Sequence, residues 1–325
     1  MMMNKIKIAI AGGTGYTAGE LIRILINHPN AEIVSVLSTT SAGEKVTSFH
    51  RDLYGECDLF FSSEIPDNID LIFLCLGHGL SREFIEKNNI QTKCKIIDLG
   101  NDFRVENSYH GREFVYGLPE INEKAITRAQ NVANPGCFAT AIQLALLPLI
   151  EQKLISDEIH IHAITGSTGA GRKLSPTTHF SDRESNISVY KPFTHQHLSE
   201  IHKTFSSLGF DKAINFVPVR GDFTKGIFAS LYTKIDTDQS YLNTLYNEYY
   251  RDAPFVFLSE ESLSLKEVVN TNKCLINTGL YNGYVHITSI IDNLIKGASG
   301  QAVQNMNLMF GFDQTTGLKL KGSGF

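Results

Sequence analysis

The sequence predicts an α/β protein in two parts, with a parallel-sheet domain over residues 1–133 and an α+β domain over 134–296. Residues 297–325 carry a late helix that returns to the first domain. Three features support this reading. A short, almost wholly apolar run at 6–11 has the texture of a strand buried on both faces. It runs directly into a glycine turn and a helical repeat. Near the middle of the chain, after Asn134-Pro135-Gly136-Cys137, the texture changes to longer apolar helices and alternating strands.

Composition narrows the class. With 325 residues there is chain enough for two domains and a sizeable core. A hydrophobic share of 42%, a charged share of 19% and a net charge of -5 describe an ordinary globular protein. They point to no nucleic-acid partner. No apolar run approaches bilayer length, so no membrane partner is expected. The opening Met1-Met2-Met3-Asn4-Lys5 passes straight into the first strand without a signal-peptide layout. Five scattered cysteines, an odd number without a CxxC pair, read as reduced thiols in the cytoplasm, with no metal site.

In the first domain, Gly12-Gly13-Thr14-Gly15-Tyr16-Thr17-Ala18 fits the G-x-G-x-x-A form, with Leu21, Ile22, Leu25 and Ile26 repeating at helical spacing behind it. Asn27-His28-Pro29-Asn30 stops the helix, and a second apolar strand follows at 33–37. Strand, glycine turn, helix and strand together open a Rossmann-type dinucleotide-binding unit. There the glycines let backbone approach a pyrophosphate at the helix N-terminus. The second strand ends in Ser38-Thr39-Thr40-Ser41, without the carboxylate that selects NAD, and this leans toward NADP. A strand at 70–76 ends in Gly77-His78-Gly79, where His78 is either a cofactor neighbour or a solvated loop residue. Another at 95–99 leads to Asp102-Phe103-Arg104. That puts Arg104 on the ligand side of the sheet, fit for bidentate anion contact or for a surface pair with Glu106. Tyr116-Gly117-Leu118-Pro119-Glu120 reads as a turn.

Pro135 and Gly136 force a tight turn that leaves Cys137 at or just before the N-terminus of a helix over 139–150. Helix N–H groups and the helix dipole favour a thiolate there, which makes a nucleophile; a buried structural cysteine is the alternative. After a strand at 158–165, Gly166-Ser167-Thr168-Gly169-Ala170-Gly171-Arg172-Lys173 forms a second small-residue loop able to wrap a phosphate or the nicotinamide end of a cofactor. It lacks the Lys-Ser/Thr ending of a P-loop. Residues 177–186 are polar and expected to be mobile. His195 and His197 stand at the entry to a helix whose Leu198, Ile201 and Phe205 face inward. Without a third ligand at zinc spacing they suit acid–base work beside a thiolate better than metal binding. Strands follow at 216–219, 226–232 and 284–291, with a basic loop at Arg220-Gly221-Asp222-Phe223-Thr224-Lys225 and an aromatic helix over 241–250 suited to core or subunit contact. Asn293 is a candidate hydrogen-bond partner for a nicotinamide carboxamide.

A dinucleotide fold, a helix-capped cysteine and a later histidine point to one chemistry: attack on an activated acyl group, a thioester, and hydride delivery to it. These residues, in this order, resemble the N-acetyl-gamma-glutamyl-phosphate reductases of arginine biosynthesis, within the aspartate-semialdehyde dehydrogenase-like group. The resemblance runs nearly end to end. Its markers are the Gly12–Gly19 loop, Asp102-Phe103-Arg104, the Tyr116–Glu120 turn, Asn134-Pro135-Gly136-Cys137, Gly166–Arg172, His195-Gln196-His197, Lys296-Gly297-Ala298, and residues 301–308.

The resemblance implies Cys137 as nucleophile and His195 as acid/base, NADPH as cofactor, an acyl-phosphate substrate bound by Arg104, and a homodimer or homotetramer. His197, Arg172 and Glu200 are the further candidates for the substrate. Gly12, Gly13, Thr14, Gly15, Tyr16, Thr17, Ser38, Thr39, Gly77, His78, Gly171 and Asn293 are those for the cofactor. The Cys137 N–H with the Asn134 side chain is the candidate holder of the oxyanion. Three departures stand out. Thr39-Thr40 replaces an arginine after the second strand. Gln196 and Ser199 alter the histidine motif. The Arg220–Lys225 loop is expanded, and with Arg220 and Lys225 it is expected to meet the acyl or carboxylate end and to admit a larger acyl group such as succinyl.

Overall fold

The computed structural model describes residues 5–324, so the three leading methionines lie outside it. The chain forms two compact units. One runs to Pro135 and takes in Ala298–Lys319; the other is Gly136–Gly297 with the residues from Leu320 onward.

The first unit is built on β1 (Ile6–Ala11), α1 (Tyr16–Leu25), β2 (Ala31–Leu37), β3 (Phe61–Ser62), β4 (Leu71–Leu74), α2 (Ser81–Asn88), β5 (Lys95–Asp98), β6 (Ser108–Tyr109), β7 (Arg112–Tyr116), α3 (Pro119–Thr127) and β8 (Asn131–Ala133). Its sheet has the order β3-β2-β1-β4-β5-β8-β7-β6. All pairings are parallel except the edge hairpin β6–β7. The reversal of order about β1 is the switch point of a doubly wound sheet, beside which ligands bind. Ile8 to Ala11 and Leu71 to Leu74 are fully buried, as two-sided coverage requires. The 116–120 turn continues into a helix, because Pro119 takes the first helical position, where its missing N–H costs nothing.

The second unit begins with α4 (Cys137–Glu151) and continues through β9 (Ile159–Thr165), α5 (Phe180–Arg183), β10 (Ser188–Val189), α6 (His197–Ser207), β11 (Ile214–Arg220), β12 (Ile227–Lys234), α7 (Gln239–Tyr249), β13 (Val256–Leu258), β14 (Cys274–Tyr281) and β15 (Tyr284–Ile291). Its mixed sheet has the order β10-β11-β9-β12-β15-β14-β13. Every residue of α4 from Phe138 to Ile150 is buried, and the helix packs on β12, β15, α6 and α7. A helix apolar all round must be covered on all sides, so α4 is the core around which this unit closes. The polar 177–186 stretch holds local structure: a Ser175–Thr178 capping box, then α5 capped by His179.

A π-helical turn (Ile295–Ser299) leads into α8 (Gly300–Met309), the late helix, which packs on α1, α3 and β5 of the first unit. Its buried Asn307 donates to the Gln314 and Thr316 carbonyls. Among the described residues no helix is long and apolar enough to cross a membrane.

His28 ties the end of α1 to this late helix. Its Nδ1 accepts the Asn30 N–H (3.2 Å), which leaves Nε2 as the donor to Asn307 Oδ1 (3.0 Å). Burial holds its pKa below the ordinary value. A depressed histidine contributes stability above its unfolded pKa of about 6.5 and loses it as pH falls through the lower folded value. The stability advantage of the parent protein over His28→Gln should therefore shrink below about pH 6.5, as read from thermal melts across pH.

Candidate active site

Cys137 is the first residue of α4. Gly136, the N-cap, is extended (φ -72, ψ 155) and offers no capping side chain, and the first turn carries no acid. The first intrahelical bond is Thr140 N–H to Gly136 O (2.8 Å), so the N–H groups of Cys137, Phe138 and Ala139 face out of the helix end. They and the dipole favour negative charge at a half-buried Cys137 Sγ.

Two glycines allow close packing around Cys137. A Cβ on Gly136 would stand 2.4 Å from His197 Nε2 and 2.7 Å from Glu200 Oε1. A Cβ on Gly297 would stand 2.7 Å from Cys137 Cβ. Gly297 lies in the π-helical turn, a deformation often found at functional positions.

His195 and His197 are both buried, with ring centroids 4.7 Å apart, and each makes a T-shaped contact with Phe138. His195 Nδ1 accepts the His197 N–H (3.2 Å), which confines proton exchange at His195 to Nε2. Tyr190 lies 5.6 Å from the His195 ring. Its phenol is pushed well above the usual range, first by burial and then by the charge of Cys137, with Arg220 opposing. The Arg220 guanidinium stands 4.7 Å from the Tyr190 ring. Tyr190 carries no motif of its own, and only its place directly after the β10 edge strand brings it here.

Glu200 departs from its expected place against substrate. It is 2% exposed, and Oε2 accepts the Gly136 N–H (3.1 Å). A buried carboxylate needs such a donor, and the turn before α4 supplies one. Asn293 likewise braces loops: Oδ1 takes the Gly226 N–H (2.6 Å) and Nδ2 donates to Thr168 Oγ1 (3.1 Å). Lys225 Nζ is bound to Asn270 Oδ1 (3.0 Å), so of the two cations expected at the substrate's tail, Arg220 is the one beside the Cys137 cluster. Gly171, with φ +77, and Arg172 are exposed.

In the first unit the glycine turn fits a dinucleotide. Gly12 has φ +80, and a Cβ there would stand 2.4 Å from Cys75 O; one on Gly13 would stand 2.4 Å from Val36 Cγ1. Gly15 caps α1 without a side-chain bond, and the first turn of α1 has no acid to repel phosphate. Thr14, Tyr16 and Thr17 continue the turn, with Tyr16 exposed. At the end of β2, Ser38 is buried and Thr39 exposed. Gly77 and His78 are exposed past β4.

Arg104 and Asn134 both brace backbone. Arg104 is 5% exposed, and it donates from Nε to Asn134 O (2.9 Å) and from Nη2 to Leu99 O (3.0 Å). Asn134 donates from Nδ2 to Ala298 O (3.1 Å), while its Oδ1 accepts from Asn305 Nδ2 (3.0 Å). Arg104 satisfies buried backbone at the ends of β5 and β8, and Asn134 does so at Ala298, a demand that depends on burial and not on sequence spacing. Asp98 was missed: it accepts from Ser81 Oγ (2.6 Å) and Gly100 N–H (3.0 Å), and burial pushes it up to about 6.

Two family profiles match: the semialdehyde dehydrogenase NAD binding domain over residues 7–129 and the semialdehyde dehydrogenase dimerisation domain over 137–293. The chain is 53% identical to an N-acetyl-gamma-glutamyl-phosphate reductase of Parabacteroides distasonis, covering 98% of this chain and 100% of that one. It is 54% identical to one from Flavobacterium johnsoniae over the same shares. Among solved structures, aspartate semialdehyde dehydrogenase II from Vibrio cholerae has the same fold, with TM-score 0.73 at 16% identity, covering 95% and 99% of the two chains.

Gly297→Ala should displace Cys137 and lower turnover about a hundredfold, as a misplacement near 1 Å does. The iodoacetamide reaction rate of Cys137, measured on the folded variant, should change with it. An unaltered rate would show that the site tolerates the added methyl.

Proposed function

The chain belongs to the N-acetyl-gamma-glutamyl-phosphate reductase family of the semialdehyde dehydrogenases, and on that premise we propose how its own residues carry the reaction. The protein is an NADP-dependent oxidoreductase of arginine biosynthesis. It reduces N-acetyl-L-glutamyl 5-phosphate to N-acetyl-L-glutamate 5-semialdehyde and releases phosphate. The observation that carries this reading is Cys137 at the N-terminus of α4, walled by Gly136, Gly297 and a buried histidine pair, in a chain that matches named reductases from end to end.

Cys137 Sγ attacks the acyl carbon. Its proton goes to solvent, and the His195 Nε2–H, placed there because Nδ1 accepts the His197 N–H, donates a hydrogen bond to the departing phosphate, which takes a proton from solvent and leaves a thioester. The N–H of Cys137 steadies the oxyanion, worth about 10²–10³ in rate for such a donor. With the Asn134 amide engaged elsewhere, that role rests on the backbone. NADPH held at the glycine turn would supply the hydride. The thioester carbon accepts it, the C–S bond breaks, the aldehyde leaves, and Cys137 returns as thiolate. Arg104, fixed on two carbonyls, is assigned the phosphate end together with the exposed Arg172. Arg220 beside Tyr190 is assigned the carboxylate end, and this favours a second reading in which a charged acyl group such as succinyl is also accepted. The glycine turn with Thr14, Tyr16 and Thr17 is assigned the pyrophosphate, and Ser38 and Thr39 the 2′-phosphate. Gly77, His78 and Gly171 are assigned the rest of the cofactor.

The second unit is a dimerisation domain by family. We assign a homodimer to the outward face of its sheet, where Tyr232 stacks on His160 (4.9 Å) beside Tyr284. A cytoplasmic location suits this biosynthetic role.

Phosphate-dependent reduction of NADP+ by the semialdehyde should be observed, with NAD+ weaker, in assays that compare N-acetyl and N-succinyl substrates. Cys137→Ser should abolish it while NADPH still binds; joint loss would mean the nucleophile is misassigned. His195→Asn should slow turnover about a hundredfold, and a full-rate variant would move its role to His197. Tyr232→Glu should shift sedimentation from dimer to monomer, and an unchanged dimer would place the interface elsewhere.

A further inference from the structure

The proposed reaction leaves unused a buried histidine behind the glycine turn. His50 stands between two short 3-10 turns, Val46–Ser48 and Arg51–Leu53. Its Nε2 lies 2.7 Å from Gly13 O. A carbonyl oxygen only accepts, so Nε2 carries the proton and donates. The rest of the ring fills space left by Gly19, where a Cβ would stand 2.6 Å from His50 Nδ1. The segment that carries His50 is anchored on both sides. Arg23 of α1 donates from Nε to Asp52 Oδ2 (2.9 Å) and pairs with Glu20. The Phe49 ring meets Phe61 edge-on at 5.4 Å, and Phe61 lies 2.9 Å from the Cβ position of Gly13.

We propose that His50 is a positioning residue for the phosphate-binding turn. In a trans peptide the carbonyl of Gly13 and the N–H of Thr14 share one plane and point in opposite directions. Drawing the Gly13 carbonyl onto His50 therefore aims the Thr14 N–H away from the ring and outward. The turn has no side chain of its own at Gly12, Gly13 or Gly15 to fix its peptide planes, and glycine leaves them the widest freedom. His50 removes that freedom before the ligand arrives, so the ordering cost does not fall on binding. Gly19 is glycine on this account because the ring needs its space. The inference rests on the reading of this turn as the NADPH site.

NADPH dissociation constants from fluorescence titration, with thermal melts, test this on the full-length protein. His50→Ala should weaken NADPH about tenfold, the loss of one buried hydrogen bond. His50→Gln, whose amide can donate to the same carbonyl, should recover affinity to within about threefold of the parent. Gly19→Ala, a change that ordinarily favours a helix, should weaken NADPH about as much as His50→Ala without lowering Tm. The rise should fall on the KM for NADPH and not on that for the acyl phosphate. An NADPH affinity unchanged in both His50→Ala and Gly19→Ala would overturn the proposal. So would a His50→Gln variant as weak as His50→Ala with a lowered Tm, which marks general packing. If the parent protein fails to bind NADPH, the cofactor reading fails first and this inference with it.

Discussion

The Gly136 N–H held by the buried carboxylate of Glu200 is the contact on which the place of Cys137 depends. Helix α4 starts without a capping side chain or an acid in its first turn. Glu200 reaches across from α6 to do what the glutamate of a capping box does within one helix. A buried hydrogen bond to a charged group contributes about 1.5–3 kcal/mol, enough to keep the turn in one geometry. Because the cap comes from another helix and holds the N-cap N–H, the N–H groups of the first turn of α4 keep their outward direction. Glycine at 136 and 297 is the steric counterpart of the same arrangement: His197 and Glu200 press on Gly136, and Cys137 presses on Gly297.

A similar economy holds in the first unit. The strand ends that should present a ligand are held by Arg104, Asn134, Asn305 and Asp98, each bonded to backbone or to one another. A polar group sealed from water must be paired, so residues that read as reagents by chemical type also serve as braces. Rigid support of this kind holds reacting groups within the small tolerance that catalysis needs. The glycine turn follows the same logic from the opposite side. It has no side chains with which to stiffen itself, and the surrounding protein does so through Val36, Phe61 and His50.

Much of this was legible beforehand. The strand at β1, the glycine turn, α1 and β2 declare themselves by local rules: an apolar run, conformationally free residues and a 3.6-residue repeat. Cys137 is legible for the same reason, since Pro135 and Gly136 dictate a turn wherever they occur. Pro119, read as part of a turn, shows the limit of such rules: its ring suits a turn and the first position of a helix equally well, and packing decides which.

The linear order of residues was thus enough to determine the two-part α/β fold, the place of Cys137 at a helix N-terminus and the histidine pair at the entry to α6, because each rests on neighbours within a few positions. Only the tertiary structure decided what the long-range polar residues do. Glu200 lies 64 residues from the N–H it holds, Asn305 171 residues from Asn134, and His50 37 residues from Gly13. Whether such a side chain meets substrate or backbone depends on which groups lose water when the chain closes, and no local pattern of residues carries that information.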